Sequence, residues 1–185
     1  MYKYCKQRKD YDNQQKMLIK MVSYGDANNT KKWYKRCQKE LKENDFQNAK
    51  KKLLQAIKAR NLPDYLDICM EENQTKEVLG YVLERKTLYG HFYIDADYKY
   101  SKQLEGLYPL EILKYYWQEA ENYTTAGNRE NYMQAVQLLD RIYHLMVKNG
   151  WGSEWDKRYS EYKERHKRKR LLFEAMNAAS LSYIR

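Results

Sequence analysis

The sequence has only 7 Gly and 2 Pro among 185 residues. A β-sandwich or barrel draws on both residue types for its many tight turns, so their scarcity argues against either architecture. No run approaches ~18 consecutive apolar residues, and no segment is expected to span a membrane. The basic N-terminus, Met1-Tyr2-Lys3-Tyr4-Cys5-Lys6, lacks the apolar stretch that a secretory signal carries behind its charges. Cys5, Cys37 and Cys69 make an odd set with no C-x-x-C pair. Neither a disulfide framework nor a zinc site is expected from them, and reduced thiols in a cytoplasmic protein are the better reading. Signatures for phosphate-binding loops, dinucleotide folds, serine hydrolases and zinc proteases (G-x-x-x-x-G-K-[ST], G-x-G-x-x-G, G-x-S-x-G, H-E-x-x-H) are all missing. The expectation is a protein that is not an enzyme and carries no metal or cofactor.

What the sequence does have is tyrosine, 20 residues of it, and segregated charge. Residues 1–60 hold 17 basic and 6 acidic side chains, residues 61–140 hold 7 and 14, and residues 141–185 hold 11 and 5. The net charge of +10 therefore describes two basic ends around an acidic middle.

Apolar residues recur at helical spacing almost from end to end. The clearest stripe is Tyr132, Ala135, Val136, Leu139, Ile142, Tyr143, Met146 and Val147, with Asn149-Gly150 as its stop signal. Pro63 and Pro109 each stand where a helix should begin. Thr75 and Ser153 read as N-caps, with Asp156 completing a short capping box after Ser153. The stretch from His91 to Tyr100 has no helical period and reads as a long connection, with room for a brief extended segment. The cysteines fall 32 positions apart, and Tyr2-Lys3-Tyr4-Cys5 matches Tyr34-Lys35-Arg36-Cys37 at three of four positions. Each cysteine reads as opening a short helix that is followed by an apolar one (Met17 to Val22, Phe46 to Ile57, Val78 to Leu88), as in helical-repeat arrays. The expected fold is all-α, a right-handed helical-repeat (TPR-like) array of about ten antiparallel-paired helices. Residues 1–62 would form N-terminal repeat units and residues 63–185 a second helical region, within one continuous solenoid.

Four pieces of the second region bear on its family. They are Asp67-Ile68-Cys69-Met70-Glu71-Glu72 with Thr75-Lys76-Glu77-Val78-Leu79, and Tyr108-Pro109-Leu110-Glu111-Ile112-Leu113 with Tyr116-Trp117. The others are Gly127-Asn128-Arg129-Glu130-Asn131-Tyr132 leading into Ala135 and Leu138-Leu139, and Trp155 followed by His166-Lys167-Arg168-Lys169-Arg170-Leu171. In this order, from about Tyr65 to the C-terminus, they resemble the α-helical region that follows the zinc finger in bacterial SWIM-domain proteins. The resemblance implies a non-catalytic, TPR-like scaffold that belongs to a larger protein or stands alone as a relative. That family's C-x-C…C-x-H zinc motif is absent, so no finger-based function carries over.

Structural roles are expected for Pro109, Tyr116, Ala120, Tyr132, Ala135, Leu139 and Trp155. The small Ala120 and Ala135 would let two helices approach, and Arg129 would tie the turn between them. Two basic clusters are candidate nucleic-acid contacts: Lys163, Arg165, Lys167, Arg168, Lys169 and Arg170, and Lys31, Lys32, Lys35 and Arg36 around Trp33 and Tyr34. A solvated or packed helix face is the plainer reading of each. The functional expectation is a protein–protein interaction module, with a nucleic-acid-binding accessory domain as the alternative.

Overall fold

The structure, a computed structural model, describes residues 11–84 and 94–179. Cys5 and its Tyr2-Lys3-Tyr4 match lie outside the described residues, as do residues 85–93. The described residues form ten α-helices and no strand. The chain divides into two compact units, Met1–Gly80 and Tyr81–Arg185.

In the first unit, α1 (Tyr11–Tyr24) is followed by a 3₁₀ turn (Ala27–Asn29), α2 (Thr30–Glu40), α3 (Glu43–Arg60), α4 (Leu62–Glu71) and α5 (Thr75–Glu84), which runs past the division. Helix α1 packs on α2 and α3, and α4 packs on the same two. Apolar spacing puts Leu18, Val22, Tyr34, Leu53, Ile57 and Leu66 in the core. The helix ends are held by side chains. Arg60 donates to the Val22 carbonyl at 2.9 Å and to the Gly25 carbonyl, satisfying the end of α1. The Asn61 side chain caps α4 through the Asp64 N–H at 3.0 Å. Asp64 in turn accepts the Thr30 hydroxyl at 2.5 Å and the Lys31 N–H at 2.9 Å. The Asp64 carboxylate thus ties the start of α4 to the first turn of α2. These contacts join α4 to α2 within the first unit, which runs to Gly80.

The second unit contains α6 (Ile94–Leu104), α7 (Pro109–Ala126), α8 (Arg129–Lys148), α9 (Gly152–His166) and α10 (Arg170–Ala178). Helices α7 and α8 make the most extensive helix pair, and α9 and α10 pack on α8. Ala120, Ala135, Leu139, Ile142 and Met146 are fully buried along that hairpin. Gly127, in the left-handed region at φ +70°, ends α7, and the Asn128 side chain caps α8 through the Asn131 N–H at 2.7 Å.

Several local expectations are corrected. Helix α6 begins at Ile94, so most of the supposed connection from His91 to Tyr100 is helical. Its Tyr98 and Ser101, with Glu105 just past its end, supply the tertiary contacts that a search for apolar period overlooks. Cys37 and Cys69 do not open helices; each is the eighth residue of its own, because the helices start upstream, after Asn29 and Asn61. The 32-residue interval instead relates helix starts, Thr30 to Leu62 and Glu43 to Thr75. Ser153 lies inside the first turn of α9, whose N-cap position is Trp151 without a side-chain bond. Val147 is exposed at the end of its stripe.

Candidate functional site

Most of the residues singled out in the sequence are spent on holding the fold. Pro109 opens α7. Trp155 is buried and stacks on Tyr159 at 4.8 Å and Trp117 at 5.8 Å, with Tyr143 edge-on at 5.5 Å. Tyr132 is buried beneath the Lys169 ammonium at 5.9 Å. Arg129 is exposed, and the turn it was expected to tie is held by Gly127 and Asn128.

Three of the six cations in the basic run that joins α9 to α10 are paired with the protein's own acids. Arg165 and His166 both bind Glu121, His166 at 2.7 Å; Lys167 binds Glu164, and Arg170 binds Glu174 at 2.8 Å. Lys163 lies 4.6 Å over the Tyr159 ring. Arg168 is exposed without a partner among the described residues. The α2 cluster behaves similarly. Lys31 bridges Asp67 at 3.2 Å and Glu71 at 2.9 Å, Lys35 binds Glu71 at 2.9 Å, and Arg36 binds Glu40 at 2.9 Å. The two lysines hold the Glu71 carboxyl below its ordinary range. Tyr34 is buried and donates to Glu72 at 2.8 Å, while Trp33 is covered by Arg36 at 5.4 Å. The Tyr34 ring is therefore closed to base stacking, Trp33 is half-buried with Arg36 over its ring, and Lys32 of this set is exposed and unpaired among the described residues.

A concave feature lies elsewhere, between α6 and α8 in the second unit. This groove has a volume of about 540 Å³. One wall is Tyr98, Lys102 and Glu105, which share a face of α6 and its C-terminal edge; the other is Gln137, Arg141, His144 and Lys148 on α8. Val136 and Leu145 are buried beneath, and Ala179 closes one end. Arg141 is the central tie. Its Nε meets the Glu105 carboxylate at 2.5 Å, and its guanidinium lies 4.3 Å over the Tyr98 ring and 5.6 Å from that of Tyr116. Burial would lower its pKa, but the Glu105 bond and neighbouring groups hold it above the ordinary value. Tyr116, fully buried, donates to Glu105 at 2.8 Å and lies 3.2 Å from the Ser101 hydroxyl; burial pushes its phenol well above the usual range.

Sequence reasoning missed this groove. Tyr98 fell in the stretch taken for a connection, and charges at three- and four-residue spacing look like any solvated helix face. The one available signal was the match between Tyr98-Lys102-Glu105 and Gln137-Arg141-His144-Lys148. Among the described residues no group of His, Cys, Asp and Glu could hold a metal ion, and no helix is long and apolar enough to cross a membrane. No family model, curated protein or solved structure matches the chain.

Proposed function

We propose that the chain is a non-catalytic helical module that binds a protein partner. The observation that carries this reading is the α6–α8 groove, whose walls offer a half-exposed tyrosine, Tyr98, and charged side chains over a buried apolar floor. Amphipathic rings beside fixed charges are the composition of recognition surfaces. In this reading the helices form a right-handed TPR-like array, and the chain is part of a larger SWIM-type protein working in the cytoplasm. The equal offsets of the starts of α2 and α4, and of α3 and α5, support the array, as does the Asp64 carboxylate of α4, which accepts from Thr30 and Lys31 of α2. Two buried free thiols, Cys37 and Cys69, suit a reducing compartment.

The alternative, a nucleic-acid accessory domain, draws less support, because three of the four cations of one basic cluster and three of the six of the other are paired with Glu71, Glu40, Glu121, Glu164 and Glu174. The discriminating experiment isolates proteins bound to the immobilised full chain and to its Tyr98→Ser variant. Oligonucleotide retention at ~50 mM salt is measured in parallel, where phosphate contacts are strong. A specific protein whose retention falls with Tyr98→Ser is the expected result. Oligonucleotide binding that disappears when Lys167, Arg168, Lys169 and Arg170 are neutralised, with no protein partner, would reverse the assignment.

A further inference from the structure

We propose that Asn149 is a self-modification site, where the chain converts its own asparagine to aspartyl and isoaspartyl when the corner between α8 and α9 opens. This chemistry is independent of the interaction-module reading. Asn149-Gly150 is the single Asn-Gly pair in the sequence, and glycine leaves the following nitrogen unshielded by a side chain. Loss of the Gly150 N–H proton lets that nitrogen attack the Asn149 Cγ. The N–Cγ bond forms, the Cγ–Nδ2 bond breaks, and ammonia leaves carrying the proton. Water then cleaves the cyclic imide. Cleavage at Cγ gives aspartyl; cleavage at the backbone carbonyl gives isoaspartyl, with a main chain longer by a methylene. In sum a water is consumed and an ammonia released, and no oxidant or cofactor takes part.

The closed corner forbids that attack. Asn149 ends α8 with ψ at 7°, which holds the Gly150 nitrogen eclipsed with Asn149's own backbone nitrogen. The arm carrying Cγ stands about 120° away around the tetrahedral Cα. Ring closure therefore needs a large rotation of ψ, and three hydrogen bonds stand against it. The Asn149 Nδ2 donates to the Leu145 carbonyl at 2.7 Å, the Gly150 N–H to the Val147 carbonyl at 3.1 Å and the Trp151 N–H to the Met146 carbonyl at 2.8 Å. The first holds the leaving nitrogen, the second keeps the proton that must depart, and the third fixes the chain beyond. These bonds lie at a helix end, where opening is easiest; Gly150 is exposed and Asn149 half-buried. Once formed, the product resists reclosure. A carboxylate at 149 has no donor for the Leu145 carbonyl and meets the negative end of α8. An isoaspartyl residue also displaces Trp151, whose carbonyl accepts the Trp155 N–H at 3.0 Å and so starts α9. Refolding does not reverse the conversion, so the site records how often this corner has opened.

The test incubates the full chain at mildly alkaline pH, folded in buffer and unfolded in guanidinium, and follows Asn149 by peptide mass spectrometry. Conversion is read as the mass gained when NH2 becomes OH, with isoaspartyl and aspartyl peptides separated by chromatography. In the unfolded chain Asn149 is expected to convert faster than any other asparagine, and at least about tenfold faster than in the folded chain. Trp155→Phe loosens the packing of α9 and leaves the Asn-Gly pair untouched. It is expected to raise the folded rate about twofold or more, with circular dichroism confirming that the helices are retained. Asn149→Asp, which stands for the aspartyl product, is expected to lower the thermal midpoint by about 2–4 °C. Equal folded and unfolded rates, no preference for Asn149 in the unfolded chain, a folded rate unmoved by Trp155→Phe, or an unchanged midpoint in Asn149→Asp would each overturn the proposal.

Discussion

Tyr116 and Trp117 are chain neighbours with opposite hydrogen-bonding fates. The Tyr116 hydroxyl is buried between Glu105 and Ser101, so its loss leaves polar atoms short of a partner. The Trp117 indole N–H is buried with no partner among the described residues, a standing cost offset by stacking on Trp155 and contact with Tyr162. Truncating a satisfied donor costs about 1–2 kcal/mol, while removing an orphaned one returns much of the area that goes with it. Tyr116→Phe is therefore expected to lower urea-unfolding stability by about 1–2 kcal/mol, and Trp117→Phe to stay within about 1 kcal/mol of the parent chain. Equal losses for the two would show that ring area, and not hydrogen-bond satisfaction, governs this site.

Helix ends are the level at which sequence and structure agree unevenly. The α7–α8 turn depends on a left-handed Gly127 and on the Asn128 cap. Gly127→Ala is expected to cost about 1 kcal/mol or more through the positive φ, and Asn128→Ala about 1 kcal/mol through the lost cap. Arg129→Ala should be nearly silent, since that side chain is exposed; thermal midpoints of the three variants test the order. The stripe from Tyr132 to Met146, the stop at Asn149-Gly150 and the prolines opening α4 and α7 were legible because each is a local signal within one turn. Helix α6 was not legible. Tyr98, Ser101 and, just past its end, Glu105 are polar or amphipathic, and their value lies in reaching Arg141 and Tyr116 on other helices. The basic runs misled for the same reason. Arg165 and His166 meet Glu121 across more than 40 residues, a pairing that no window of sequence contains.

Across the whole molecule the tyrosines set the response to alkali. Burial raises the phenols of Tyr34 and Tyr65 in the first unit and of Tyr116, Tyr159 and Tyr162 in the second; Tyr162, bonded to Thr124, is pushed up to about 12. A phenol raised in the folded state favours folding while protonated in both states. That contribution is complete below the ordinary value near 10 and is lost as pH climbs through the folded one. Urea midpoints should therefore hold steady from neutral pH to about 9 and fall steeply between about 10 and 12, with a shallower fall in Tyr162→Phe. A midpoint unchanged up to pH 12 would contradict these burials. The first unit also holds Cys37 and Cys69, with no exposed surface and with Cys37 pushed up to about 11 by burial. Each is an internal stopwatch: a thiol reagent reaches it only after its own helix, α2 or α4, swings free. Labelling rates in a chain with Cys5 replaced by Ser would time the opening of one helix at a time, with no probe added to the protein.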